Sequence, residues 1–103
     1  MICNQRFDIK VVAAAILINK RELHVEELTS LILNSELSTL GLKGKTPPRQ
    51  TVTSVLSTNY TIFANNRRAN RRGDGFWWLN NSDEVLRDPE VSLCFKMLTE
   101  HSI

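Results

Sequence analysis

The sequence is poor in cysteine, and its two cysteines, Cys3 and Cys94, lie far apart and outside any CxxC or CxxH pattern. This spacing argues against a zinc site and against a disulfide framework, and it is typical of a reducing compartment. The apolar run 11–18 is too short to span a bilayer. No small-residue cleavage site of a signal peptide follows it. We therefore expect a soluble cytosolic or nuclear protein without membrane association. The expected location is the nucleus, or the bacterial cytoplasm if the chain is prokaryotic.

Motifs of catalysis are also missing. The sequence has no glycine-rich phosphate loop, no nucleophile elbow and no paired-acid motif. His24 and His101 are distant in sequence, and Glu26 and Glu27 are explained as acids in the first turn of a helix, where the helix dipole favours them. We therefore expect no enzyme, no cofactor, no metal and no small-molecule substrate.

Acidic residues are absent between Leu37 and Gly73, although the whole chain has eleven of them and a net charge of only +2. The same window holds seven of the thirteen basic residues: Lys43, Lys45, Arg49, Arg67, Arg68, Arg71 and Arg72. A surface of this kind attracts polyanions, of which nucleic acid is the most abundant. The alternative is a solvated loop that only keeps the domain soluble.

Apolar spacing and capping residues predict one domain over 1–103, with a core of about 8–79 and an added helix at about 89–101. Asp8 is the predicted N-cap of the first helix, and Thr46 caps the third with Pro47 at its first position. The predicted helices are 8–20, 25–34, 46–58 and 89–101, and the predicted extended segments are 21–24, 60–63 and 75–79. The last two extended segments form a hairpin with a long arginine-rich tip.

This order predicts a mostly helical α+β fold of the winged helix-turn-helix type. In that arrangement the third helix enters the DNA major groove, and the hairpin tip, the wing, lies on the flanking backbone or in the minor groove. Val52, Val55 and Leu56 face inward in the predicted third helix. The predicted contacts to double-stranded DNA are Lys43, Lys45, Thr46, Arg49, Gln50, Thr53, Ser54, Ser57, Arg67, Arg68, Asn70, Arg71 and Arg72.

Each group of predicted contacts has its own chemistry. Arginine can bond guanine bidentately, glutamine can bond adenine, and serine or threonine can contact bases or phosphate. The start of the third helix, with Thr46 and the nearby Lys43 and Lys45, is a phosphate site because its backbone N–H groups are unpaired. The alternative for the third helix is that polar residues coat the exposed face of any helix.

The aromatic segment 76–79 divides between two faces, because side chains alternate along a strand. We expect Trp77 and Leu79 in the core. Phe76 and Trp78 are then exposed unless the fourth helix covers them with Val91, Phe95 and Leu98. Stacking of these aromatics on single-stranded bases is an alternative.

Over roughly residues 8–79 the chain resembles the HARE-type winged helix-turn-helix family. The resemblance is carried by Leu23-His24-Val25-Glu26-Glu27-Leu28-Thr29, Gly44-Lys45-Thr46-Pro47, Thr51, Leu56, Phe63 and the ending Gly75…Trp77…Leu79. It implies a non-catalytic DNA-binding module of a chromatin- or transcription-associated protein. The chain departs from the family pattern in a longer, more arginine-rich wing and in the added C-terminal helix. A protein-interaction or self-association module that uses this helix with Phe76 and Trp78 is the alternative function.

Overall fold

The computed structural model describes residues 7–38, 47–65 and 75–101. In chain order their elements are α1 (Ile9–Lys20), β1 (Glu22–His24), α2 (Val25–Ser35), α3 (Pro48–Thr58), β2 (Phe63–Asn65), β3 (Phe76–Leu79), α4 (Ser82–Leu86) and α5 (Pro89–His101). The predicted α+β class is confirmed, because the described chain is mostly helical with a small antiparallel sheet.

The three strands form one sheet in the order β1-β3-β2. Both pairs are antiparallel, and Trp77 in the central strand lies opposite Leu23 on one side and Asn65 on the other. The predicted pairing of the two strands around the arginine-rich segment is therefore confirmed. The predicted extended link before α2 is the third strand of this sheet.

Helix α1 lies at the centre of the molecule. Its residues from Val11 to Leu17 are all buried, and α1 contacts α2, α3, α4, α5, β1 and β3. Alanine at positions 13, 14 and 15 lets neighbouring elements approach the helix axis closely, so the apolar surface is buried on every side. Asp8 is the N-cap as predicted, but its side chain makes no capping hydrogen bond.

The core extends beyond the predicted limits at both ends. Phe7 is fully buried, and its N–H donates to the carbonyl oxygen of Leu37 over 2.6 Å. Helix α5 packs along α1 and buries Val91 and Cys94. The helix begins at Pro89 as predicted, and the preceding Asp88 accepts the N–H of Glu90 on its Oδ1 at 2.9 Å. The C-terminal helix is therefore part of the same core.

The predicted start of α3 is wrong by one residue. Pro47 is the N-cap, with extended backbone at ψ 135°, and Pro48 is the first helical residue. Thr46 lies outside the described residues. The cause is the second proline, because helical backbone angles are disfavoured for a residue that precedes proline. Pro48 therefore takes the first position, where its missing N–H costs no hydrogen bond.

The predicted strand at 60–63 is also misplaced. Residues 59–62 form a turn in which the N–H of Ile62 donates to the carbonyl oxygen of Asn59, and β2 begins only at Phe63. The side-chain amide of Asn80 donates to the carbonyl oxygens of Tyr60 and Thr61 and holds this turn against the end of β3. Hydrogen bonds from a side chain to residues about twenty positions away leave no periodic signal in a sequence.

Helix α4 was not predicted. Asn81 caps it by accepting the N–H of Glu84 on its Oδ1 at 3.1 Å. The pattern of asparagine followed three residues later by glutamate is a helix-start signal that the sequence does contain. The segment has only five helical residues, so apolar periodicity could not reveal it. The added C-terminal part is therefore two helices and not one.

Candidate nucleic-acid interface

Helix α3 exposes a continuous polar face. It buries Val52 and Leu56, while Val55 is half-buried. The predicted contacts on this helix follow the spacing i, i+1, i+4, i+5 and i+8, which places them on one side of a helix. Arg49, Gln50 and Ser54 are exposed, whereas Thr53 and Ser57 are half-buried. We call Arg49, Gln50, Thr53, Ser54 and Ser57 the α3 face; helix α3 contains no acidic residue.

The polar groups of α3 differ in their hydrogen-bonding capacity. The hydroxyl of Thr53 donates to the carbonyl oxygen of Arg49 at 2.9 Å, and that of Thr58 donates to Ser54. A hydroxyl has one hydrogen to donate, so Thr53 must break this bond before it can donate to a phosphate. Gln50 carries both a donor and an acceptor on an exposed side chain, which suits it to a base edge.

The N-terminal end of α3 lies beside one end of the sheet. Arg49 Nη1 is 3.1 Å from Oε1 of Glu26, in the first turn of α2. The backbone N–H of Glu26 donates to Nδ1 of His24, which ends β1, and the N–H of Val25 donates to the carbonyl oxygen of Gly75 at 2.7 Å. This chain of contacts connects the start of the α3 face to the residue that precedes β3.

Gly75 fits a close approach at this end of the sheet. A Cβ atom there would lie 3.0 Å from Cγ1 of Val25 and 3.2 Å from Nε2 of His24. Val25 is buried and has little room to shift. The absence of a side chain at position 75 therefore lets the chain enter β3 directly beside the start of α2.

The remaining predicted contacts fall outside the described residues. They are Lys43, Lys45, Thr46, Arg67, Arg68, Asn70, Arg71 and Arg72. The two residues that flank 66–74 are described: Asn65 ends β2, and Gly75 directly precedes β3. Since these strands are antiparallel neighbours, both attachment points lie at the same end of the sheet, which is the end that contacts Glu26.

Glu26 is a feature of this region that sequence reasoning missed. The prediction placed Glu26 in the first turn of α2, which is confirmed, but gave it no contact with the predicted DNA-binding residues. The window without acids covers the chain only from Leu37 to Gly73. Packing of α2 against α3 brings an acid from outside this window to Arg49, and no local pattern signals that contact.

The outer face of the sheet carries Phe76 and Trp78, while Trp77 and Leu79 are buried as predicted. Phe76 remains 41% exposed and packs edge-to-face on His24, with ring centroids 5.2 Å apart. Trp78 is half-buried between its cross-strand neighbours Glu22 and Ala64. Helix α5 packs mainly along α1, so Phe76 is not enclosed by the C-terminal helix.

A groove of about 220 Å³ lies between α1, the 59–62 turn and the start of the C-terminal helices. Its lining includes Lys10, Asn81, Glu84 and Asp88, and none of the residues of the α3 face. Two carboxylates against one lysine make the groove unsuited to a polyanion.

Within 7–38, 47–65 and 75–101, no cluster of three or more His, Cys, Asp or Glu residues is arranged to hold a metal ion. Among the helices of the same residues, none has the length and apolar character to cross a membrane.

Comparison with protein-family models, with curated proteins and with solved structures finds no match to this chain.

Proposed function

We propose that this chain is a non-catalytic, double-stranded DNA-binding domain of the winged helix-turn-helix type. In this proposal the α3 face enters the major groove, and the basic segment 66–74 lies on the flanking backbone or in the minor groove. The main observation that supports this proposal is one of position. The start of the α3 face and both attachment points of the basic segment lie at the same end of the sheet. A single duplex can therefore contact both.

Two further observations support the proposal. Three helices with a strand before the second, followed by two antiparallel strands in the sheet order β1-β3-β2, match the element order of a winged helix. The exposed face of α3 combines one arginine with an amide and hydroxyls, which are the groups that read base edges. Phosphate contacts position a protein on DNA and base contacts specify the sequence, so the basic segment supplies affinity and α3 supplies selectivity. From the resemblance of residues 8–79 to the HARE-type family, we further propose that this domain belongs to a chromatin- or transcription-associated protein.

The test is titration of a labelled duplex at two or more salt concentrations with a variant in which Arg67, Arg68, Arg71 and Arg72 are replaced by glutamine. We expect weaker binding to every sequence, and a log–log salt slope that is shallower by about 3.6, because about 0.9 is contributed per phosphate contact.

The matched control replaces four basic residues outside the proposed footprint with glutamine: Lys20, Arg21, Arg87 and Lys96. All four are exposed, and the control has the same net charge as the test variant. We expect its salt slope to stay close to that of the wild type. Equal losses in the two variants would mean that net charge alone drives binding, and tighter binding to the single strand than to the duplex would favour stacking on Phe76. Either result would contradict the proposal.

A further inference from the structure

The contact between Glu26 and Arg49 carries an inference that rests on the proposed function and deepens it. Glu26 is the second residue of α2, and Arg49 is the second residue of α3. Glu26 Oε1 and Arg49 Nη1 are 3.1 Å apart, while the side chains remain 65% and 54% exposed, respectively. The pair therefore lies on the surface at the beginning of the α3 face.

The backbone of Glu26 is held by the sheet. The N–H of Glu26 donates to Nδ1 of His24 at 3.1 Å, and the preceding residue, Val25, is buried and bonded to Gly75. His24 packs against Phe76 across the sheet. These contacts fix the backbone from which the exposed side chain of Glu26 reaches Arg49.

An arginine in this position has donors left after it bonds to Glu26. The guanidinium group carries five N–H donors in a rigid planar fork. The Glu26 contact engages Nη1, and the opposite side of the fork can still present donors to an acceptor pair such as O6 and N7 of guanine. An ion pair that favours one orientation of the fork reduces the conformational freedom that is lost when such a bidentate contact forms.

The same carboxylate makes Arg49 a poor phosphate ligand. A phosphate that bound the guanidinium group would lie close to the negative charge of Glu26, and like charges repel. The ion pair has no net charge, so its contact with DNA releases few counterions. A base edge carries only partial charges and does not suffer this repulsion.

We propose that Glu26 is a positioning residue that determines specificity: it holds Arg49 for contact with a base edge in the major groove and disfavours contact with phosphate. Arg49 then contributes discrimination between sequences with little salt dependence. The basic segment 66–74 contributes salt-dependent affinity without discrimination. Removal of the carboxylate changes Arg49 from a base reader into a phosphate binder.

The test compares Glu26→Ala with Glu27→Ala. Glu27 is the adjacent acid in the first turn of α2, is exposed, and has no salt bridge with a residue that the structure describes. Both substitutions remove one negative charge and one first-turn acid, and circular dichroism checks that both variants fold. Each variant is used to select duplexes from a randomised library, and binding to the selected and mismatched duplexes is then measured against salt concentration.

We expect E26A to bind duplex more tightly, with a salt slope steeper by about 0.9 for one added phosphate contact. Its preference at one base pair should fall by about tenfold, within the range of a lost bidentate contact. E27A should keep the slope and preference of the wild type. R49Q should lose the same preference as E26A, and the double variant should lose no more than R49Q alone.

Several results would overturn the inference while duplex binding itself persists. They are a wild-type protein that selects no sequence, an E26A variant that keeps the wild-type preference, and an E26A effect that is unchanged in the R49Q background. An equal steepening of the slope in E27A would also overturn it, since the effect would then be one of net charge. A folded wild-type protein that binds no duplex would instead contradict the proposed function, and the inference with it.

Discussion

Helices α1 and α3 have almost the same length, twelve and eleven residues, but they differ in what surrounds them. Every residue of α1 from Val11 to Leu17 is buried, whereas α3 buries only Val52 and Leu56. Helix α1 is enclosed by the other four described helices and by the sheet, so its side chains are constrained by packing. Among the residues that the structure describes, helix α3 packs against α2 and α1 and buries Val52 and Leu56.

This difference means that α1 mainly determines the stability of the fold, whereas the exposed side of α3 is available for recognition. Substitutions in α1 change the packing of the whole core, while the exposed side of α3 can vary with little effect on the fold. A face that the core does not constrain is free to carry residues chosen for binding. Under the proposed function, the α3 face can therefore change its sequence preference with little cost to the fold.

The largest effect is expected from Leu17→Ala in α1. Leu17 is 1% exposed, and its truncation removes buried apolar surface and leaves a cavity. We expect the free energy of unfolding to fall by about 2–5 kcal/mol, as measured by urea denaturation.

The matched control is Leu33→Ala in α2, because Leu33 is 42% exposed and both residues are helical. Leucine and alanine are both strong helix formers, so burial is the main difference between the two sites. We expect a loss below about 1 kcal/mol for Leu33→Ala. Equal losses at the two positions would mean that α1 is not the centre of the core.

The sequence predicts α1 well because its signals are local. Asp8 marks the start, the apolar residues continue for three turns, and Lys20 ends the helix as predicted. The same holds for the burial of Trp77 and Leu79, which follows from the alternation of side chains along a strand. Patterns that extend over one element reveal the existence and type of that element.

The candidate site was predictable only in part. The spacing of the polar residues on α3 follows from helical periodicity, and their exposure agrees with it. The contact of Arg49 with Glu26 joins residues 23 positions apart in sequence, and it depends on how α2 packs against α3. The turn held by Asn80 depends in the same way on a bond across nearly twenty residues. Local sequence patterns do not predict how two elements pack against each other.

The next largest effect on stability is expected at Cys94, which is buried where α5 packs against α1. The thiol is fully buried, and burial raises its pKa from 9.0 to about 11 because the thiolate loses its hydration. The thiol stays protonated in the folded protein while it ionises in the unfolded chain above pH 9. The contribution of Cys94 to the free energy of unfolding is therefore complete below pH 9. It is lost as the pH rises to about 11, and the total loss is about 2–3 kcal/mol.

The measurement is urea denaturation of the wild type and Cys94→Ala between pH 8 and 11. All other ionisable groups are the same in the two proteins, so the difference between the two curves isolates Cys94. We expect the wild type to lose stability more steeply than the variant above pH 9. Parallel curves would mean that the thiol is hydrated and that α5 does not enclose it.

The smallest effect is expected where α1 ends. Arg21 has φ 71° and ψ −56°, and its N–H donates to the carbonyl oxygen of Leu17, whereas Asn59 ends α3 with a negative φ of −101°. A positive φ strains any residue with a Cβ, so we expect Arg21→Gly to be more stable than Arg21→Ala by about 1 kcal/mol. The comparison with alanine cancels the loss of the charge.

The control is the adjacent Lys20. Lys20 is still helical, so Lys20→Gly should be less stable than Lys20→Ala by about 1 kcal/mol. Thermal or urea denaturation of the four variants should thus give opposite signs at adjacent positions. The same sign at both would mean that α1 continues through Arg21 and that β1 starts later.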